Sequence, residues 1–190
     1  MQRRERLMQG SLSKETFHEI YDMLNRVNHV PYDCGTLCRK ACCRRGDEDL
    51  GIYLLPNEDL VLQGEKDWLT WERHRVRDYD FPPTWYGKTY FIKCNSNCPR
   101  EKRPMQCRTF PLAPHLSDTG ELWLIWETMD LPYACPLLER KEALNKEFIR
   151  TLYRAWQILI SDPLIEDLVR YDSRSREEEG AVIEVVYRLG

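Results

Sequence analysis

The segment YDCGTLCRKACCRRGDED, residues 32–49, places four of the chain's eight cysteines, Cys34, Cys38, Cys42 and Cys43, within ten positions. Tetrahedral zinc holds each thiolate sulfur at about 2.3 Å, which brings any two ligand sulfurs to within roughly 4 Å of one another. Residues four apart on a helix have neighbouring side chains, so Cys34 with Cys38, or Cys38 with Cys42, can share an ion. Cys34 and Cys42 cannot do so on a continuous helix, where eight residues rise about 12 Å. Either the run is a folded loop or its thiols serve two centres. Adjacent Cys42 and Cys43 diverge on any regular backbone, so they face different ions, or one ligates while the other packs.

The other four cysteines follow at a distance. Cys94, Cys98 and Cys107 lie in CNSNCPREKRPMQCRTFPLAPHLSDTG, residues 94–120, whose four prolines and weak periodicity read as an irregular loop. So long a loop inside a compact domain calls for something to hold it. Cys135 stands just before a helical pattern. A structural metal joins distant segments and supplies on the order of 10 kcal/mol to folding. Eight thiols divide into two four-sulfur sites, but one cluster plus packed thiols fits the count equally well. The competing accounts are buried small apolar cysteines and a disulfide framework.

Around these groups, Ser13 caps a helix over 13–28 with Phe17, Ile20, Tyr21, Leu24 and Val27 at helical spacing, and Pro31 follows it. DLGIYLLPNEDLVL reads as a short buried strand broken at Pro56-Asn57. WLTWERHRV and ELWLIWETM are strand candidates sharing a Trp-x-x-Trp spacing (Trp68 and Trp71, Trp123 and Trp126), and one paired, two-sided sheet is their simplest account. From Pro136 a stripe of Leu138, Ala143, Leu144, Phe148, Leu152, Ala155, Trp156 and Leu159 reads as one long helix. Pro163 breaks it, a short helix LIEDLVRY follows, the polar run DSRSREEEG reads as a solvated connector, and AVIEVVYRL has strand character. The fold expected is a single α+β domain over 1–190. It has an N-terminal helix, a short mixed or antiparallel sheet, a cysteine-rich metal-bound core over about 32–138, and C-terminal helices within 137–172.

The 190-residue chain is long enough for one core and short for two domains. A net charge of -3 gives no overall reason to bind nucleic acid or an anionic membrane. Arg39, Lys40, Arg44 and Arg45 beside the first cysteines invite a nucleic-acid reading, but the preferred one is that they offset thiolate charge and lower thiol pKa, since Asp47, Glu48 and Asp49 follow at once. No apolar run marks a secretory signal or a membrane span, so the expected location is the cytoplasm, where dense cysteines bind metal or catalyse rather than form disulfides. No protein partner is indicated.

CGTLCRKACC, GIYLLPNED, CNSNCPREKRPMQCRTFPL and ACPLL together resemble the YkgJ-type cysteine-cluster family of zinc- or iron-chelating proteins, from about Cys34 to Cys135. The resemblance implies Cys34, Cys38, Cys42, Cys43, Cys98 and Cys107 as cluster residues, with Cys94 and Cys135 as further ligands. Arg103, Pro104, Arg108, Phe110 and Pro111 frame the last cluster cysteine. Arg103 and Arg108 are expected beside the metal rather than on it, with Arg108 donating to a cluster sulfur or to a backbone carbonyl. Zinc, one or two ions, is the first expectation and an iron–sulfur cluster the second.

Some proteins with related clusters are flagellin lysine N-methylases, so a protein lysine N-methylase using an iron–sulfur cluster is the enzymatic alternative. Against it, Cys34, Cys38 and Cys42 lack the C-x3-C-x2-C spacing of radical S-adenosylmethionine enzymes, and no glycine-rich strand-to-helix loop marks a cofactor fold. G-x-S-x-G, H-E-x-x-H and G-x-x-x-x-G-K are absent too. Of the four histidines, His115 is the best mixed-ligand candidate, against its plain reading as a surface loop residue.

Overall fold

The computed structural model describes residues 6–32, 34–43, 50–95 and 98–189, with the side chain of Cys43 outside that set. Arg44, Arg45 and the acidic Asp47–Asp49 therefore lie outside the described residues. Helix α1 (Lys14–Asn25) starts where Ser13 Oγ accepts from the Thr16 N–H at 3.2 Å, and it buries Phe17, Ile20, Tyr21 and Leu24. Its apolar face packs on α6 (Lys146–Leu159), which buries Phe148, Leu152, Tyr153, Ala155, Trp156 and Leu159.

The expected long helix from Pro136 is two helices. A single turn, α5 (Pro136–Glu139), ends before Lys141, whose φ of 46° is left-handed, and α6 restarts where Asn145 accepts from the Glu147 N–H at 2.9 Å. An asparagine whose side chain bonds its own backbone two residues on favours a cap over a helix interior, and this decides against continuity. Ala143 and Leu144 thus fall between helices. Conversely, α7 (Pro163–Glu178) runs through most of the polar stretch expected to be a connector. Asp162 caps it, accepting from the N–H groups of Leu164 and Ile165 at 2.9 and 3.1 Å. Buried Ser173, which accepts from the Leu116 N–H at 2.9 Å, fastens its second half to a strand.

The Trp-bearing strands do not share a sheet. One antiparallel sheet has the order β1-β3-β2, from β1 (Ile52–Tyr53), β2 (Leu69–Arg75) and β3 (Lys88–Cys94). The other has the order β4-β5-β6, from β4 (Leu112–Leu116), β5 (Leu122–Trp126) and β6 (Val185–Tyr187). Sequence reading passes over β3, whose apolar residues are punctuated by Lys and Thr. It also places β4 inside an irregular loop because of Pro114. β4 is an edge strand, so a residue without an N–H can sit there at no cost to the ladder. Both sheets, α1, α6 and α7 contribute to one continuous apolar core, giving the expected α+β class.

Candidate metal centre

The cysteine run is not a continuous helix. Cys34 precedes α2 (Gly35–Cys38), Cys38 ends it, and Arg39 and Lys40 are both left-handed with φ of 51° and 56°. Lys40 N–H closes the turn onto Gly35 O at 2.9 Å, and a 3-10 turn, Ala41–Cys43, follows. Left-handed backbone costs a non-glycine residue roughly 1–2 kcal/mol, so two in succession mark a turn imposed by its surroundings. The run is a folded loop, so the separation of about 12 Å that a straight helix would force between Cys34 and Cys42 does not apply. Cys34 and Cys38 are half-buried and Cys42 is exposed.

The second group is more ordered than its prolines suggest. Cys94 ends β3 opposite Leu69, and with Cys98 it packs against the edge of the core. Cys98 points its thiol at Pro99 O, 3.6 Å away. Cys107 sits in the helix α4 (Met105–Thr109), half-buried, and Cys135 is the residue before α5, also half-buried.

What holds this segment is a buried polar network centred on Glu58 and Arg108. Glu58, just before α3 (Asp59–Leu62), is 0% exposed. Its carboxylate accepts from Tyr21 O–H at 2.7 Å, from Met105 N–H at 2.6 Å and from Leu55 N–H at 3.0 Å. Burial pushes its pKa up, and these hydrogen bonds and the Arg108 charge act in the opposite sense. Tyr21, for its part, is held well above its ordinary value by burial and by Glu58, so it remains a donor. Arg108 is 6% exposed and lies over the Tyr21 ring, with its guanidinium carbon 4.1 Å from the ring centroid. Its fork donates to Arg103 O, to Glu101 O at 2.8 Å and to Asn25 Oδ1 at 2.8 Å. Of the two roles expected for Arg108, the structure shows donation to backbone carbonyls. Arg103 contributes its carbonyl to this knot and its side chain to a shallow depression that it shares with His29, Arg100, Arg108 and Phe148.

The same hub ties the remaining cysteine-bearing segments together. His29 Nε2 meets Arg108 O at 3.1 Å, and its ring lies 4.3 Å from Phe148. Burial, aided by Arg103 and Arg100, pulls His29 down to about 4, so the ring is neutral at pH 7. A carbonyl only accepts, so Nε2 carries the proton. Arg100 donates to Val27 O at 2.6 Å, and Asn145 N–H donates to His29 O at 2.8 Å. Tyr32, two residues before Cys34, donates to Glu142, seven residues after Cys135. Cys98 and Cys107 lie within electrostatic reach of Arg108 and Tyr21 respectively, and Cys34 within reach of Tyr32. The 98–109 stretch is thus fastened around Arg108 and His29, and the chain leading to Cys34 is tied beside it to the chain that follows Cys135.

Sequence reading misses Glu58, Asn25 and His29 in this frame and takes Tyr21 as plain core. The available signal was Glu58 within LLPNED and Arg108 beside Cys107: charged residues in otherwise apolar surroundings that need each other once buried. His115 is not a surface loop residue. It lies on β4, 0% exposed, stacked on Trp123 with centroids 5.5 Å apart and Nε2 3.2 Å from Glu177 Oε1.

Among the described residues, no group of three or more Cys, His, Asp or Glu side chains is gathered closely enough to hold a metal ion, and no helix is long and apolar enough to cross a membrane. Neither family models, curated proteins nor solved structures match the chain.

Proposed function

We propose that this chain is a thiolate metal-binding protein of the YkgJ-type kind, taking zinc in preference to an iron–sulfur cluster and working in the cytoplasm. The observation that carries this reading is the fastening of the Cys98–Cys107 stretch to a buried hub, with the chain leading to Cys34 tied beside it to the chain after Cys135, where an ordinary loop of this length would be loosely held. The chemistry of the donor set suits the group: thiolates favour zinc and iron–sulfur clusters over hard cations. The described thiols do not form a ready-made site. Binding therefore draws on Cys43, the one cysteine whose side chain lies outside the described residues, or closes the surrounding thiols onto the ion. Metal affinity and local folding are then the same equilibrium.

The residues that would hold the metal are Cys34, Cys38, Cys42 and Cys43 from the first run, with Cys98 and Cys107 from the second, and Cys94 and Cys135 at the margin. When bound, the ion supplies structural fastening through thiolate bonds. Arg108 fixes the backbone that leads into Cys107 through Arg103 O and Glu101 O, and so positions that thiol. Arg108 carries its positive charge within electrostatic reach of Cys98.

Elemental analysis and the visible spectrum of protein purified without oxygen test the reading. Stoichiometric zinc is expected, with Cys38→Ser and Cys107→Ser lowering it and His115→Ala leaving it unchanged. Iron with labile sulfide and absorption near 400 nm would replace zinc by the cluster, and protein without bound metal would overturn the proposal.

A further inference from the structure

Strand β6 forms the open edge of its sheet: the strand order ends on it, and among the described residues no strand pairs with its outer side. Trp126 N–H donates to Glu184 O at 3.1 Å, and Ile125 stands opposite Val185. In an antiparallel ladder this arrangement turns the N–H and C=O of Val185 away from β5, towards the open side. The segment around it displays apolar side chains. Val182 is 76% exposed, Val185 42% and Leu189 53%, three of the eight large hydrophobic residues exposed among those described. An edge that presents unpaired backbone and apolar side chains is a template for pairing with another strand.

The sequence of that edge says which strand. IEVVYRL, residues 183–189, is complementary to itself when laid antiparallel about Val186. Val186 meets Val186 of the second copy once, on the axis, while Val185 meets Tyr187, Ile183 meets Leu189, and Glu184 meets Arg188 twice each. Opposite charges directly across a ladder attract, and apolar pairs bury each other's surface. Glu184 and Arg188 are both exposed and so available to a partner. Within the chain the Glu184 carboxylate pairs with the exposed Lys141, while Arg188 lies with its guanidinium carbon 5.7 Å from the Trp123 ring centroid, both surface contacts of small worth. Two identical strands paired in this way are related by a two-fold axis, which yields a closed dimer rather than an open fibre.

The geometry points to β6 as the interface of a homodimer, in which the sheets β4-β5-β6 of two copies join antiparallel through residues 183–189 into one six-stranded sheet. The occupant is a second copy of this chain: an unrelated strand would match the backbone but not the alternation of Glu184 and Arg188 about Val186.

The test is the mass in solution over the micromolar range, by light scattering and sedimentation, of the wild-type chain, Glu184→Arg, Arg188→Glu and the double reversal. Wild type is expected at about twice the 22.8 kDa of the chain. Each single reversal sets like charges opposite one another at both symmetric contacts and should weaken association by about tenfold or more. The double reversal restores opposite charges and should restore the dimer, a rescue that neither loss of the Lys141 contact nor loss of the Trp123 contact would produce. Val185→Pro removes an outward N–H and should leave a folded monomer, as judged by circular dichroism. A monomeric wild type, single reversals that dimerise as well as wild type, or a double reversal that stays monomeric would each overturn the assignment. Association of wild type with other proteins but not with itself would do the same.

Discussion

Replacing Arg108 by methionine tests whether the polar hub, rather than the cysteines alone, holds the 98–109 segment. The change keeps a long apolar stem over Tyr21 and removes three charge-assisted hydrogen bonds, to Arg103 O, Glu101 O and Asn25 Oδ1, together with the cation over the Tyr21 ring. Bonds to a charged donor are worth about 1.5–3 kcal/mol each. Water reaching the freed carbonyls and the recovered cost of burying a guanidinium offset part of this, since removing one member of a buried charged network costs about 3–5 kcal/mol in all. The expected loss is therefore about 3–5 kcal/mol in urea unfolding followed by fluorescence, with unchanged dependence on denaturant. Arg108→Lys keeps the charge but not the fork, and should fall about halfway. Amide exchange should accelerate first at residues 100–109. A loss below about 1 kcal/mol for the methionine variant, in the range of ordinary surface changes, would refute the account of the hub.

Thr109→Val should cost about 1–3 kcal/mol, because Trp156 Nε1 donates to Thr109 Oγ1 at 3.0 Å in the core and would be left without an acceptor; thermal unfolding reads it. Asp162→Ala should cost about 2 kcal/mol by the same measurement, since that carboxylate caps α7 at Leu164 and Ile165 and also accepts from Ser11. Asp172→Asn should stabilise the protein at pH 7–8. Burial, with Glu127 and Asp80 adding to it, raises Asp172 from 3.8 to about 6 against the pull of Arg176. The folded state thus holds that proton more tightly than the unfolded chain. The stability linked to this group is fully present below about pH 4 and lost as pH rises through 6, by on the order of 3 kcal/mol. The asparagine variant should show its gain at pH 7 and lose it at pH 4, in urea midpoints measured across that range. An equal gain at both values would contradict the assignment.

Elements whose signals are local were legible in advance. Ser13 capping α1, the Phe17–Leu24 stripe, the β-rich runs at Leu69–Arg75 and Leu122–Trp126, and the strand at the C-terminal end are all set by neighbours within a few residues. The break at Asn145 and the continuation of α7 through Ser173 were not. Each depends on a competition that pattern alone does not rank: a side-chain cap against an apolar stripe, and a polar run against an anchor on a distant strand. Pro114 misled for a similar reason, since its tolerance depends on β4 being an edge.

The cysteine spacing, by itself, determined that the first run poses a geometric choice between one folded loop and two centres. The tertiary structure showed the run to be a folded loop, turned by left-handed Arg39 and Lys40. It alone decided that Glu58, Tyr21, Asn25 and Arg108 form one network, because Tyr21 and Asn25, Glu58, and Arg108 come from three stretches tens of positions apart and are coupled only by the need of a buried charge for partners. Local chemistry is written along the chain, whereas the pairing of buried polar groups exists only once the chain has closed upon itself.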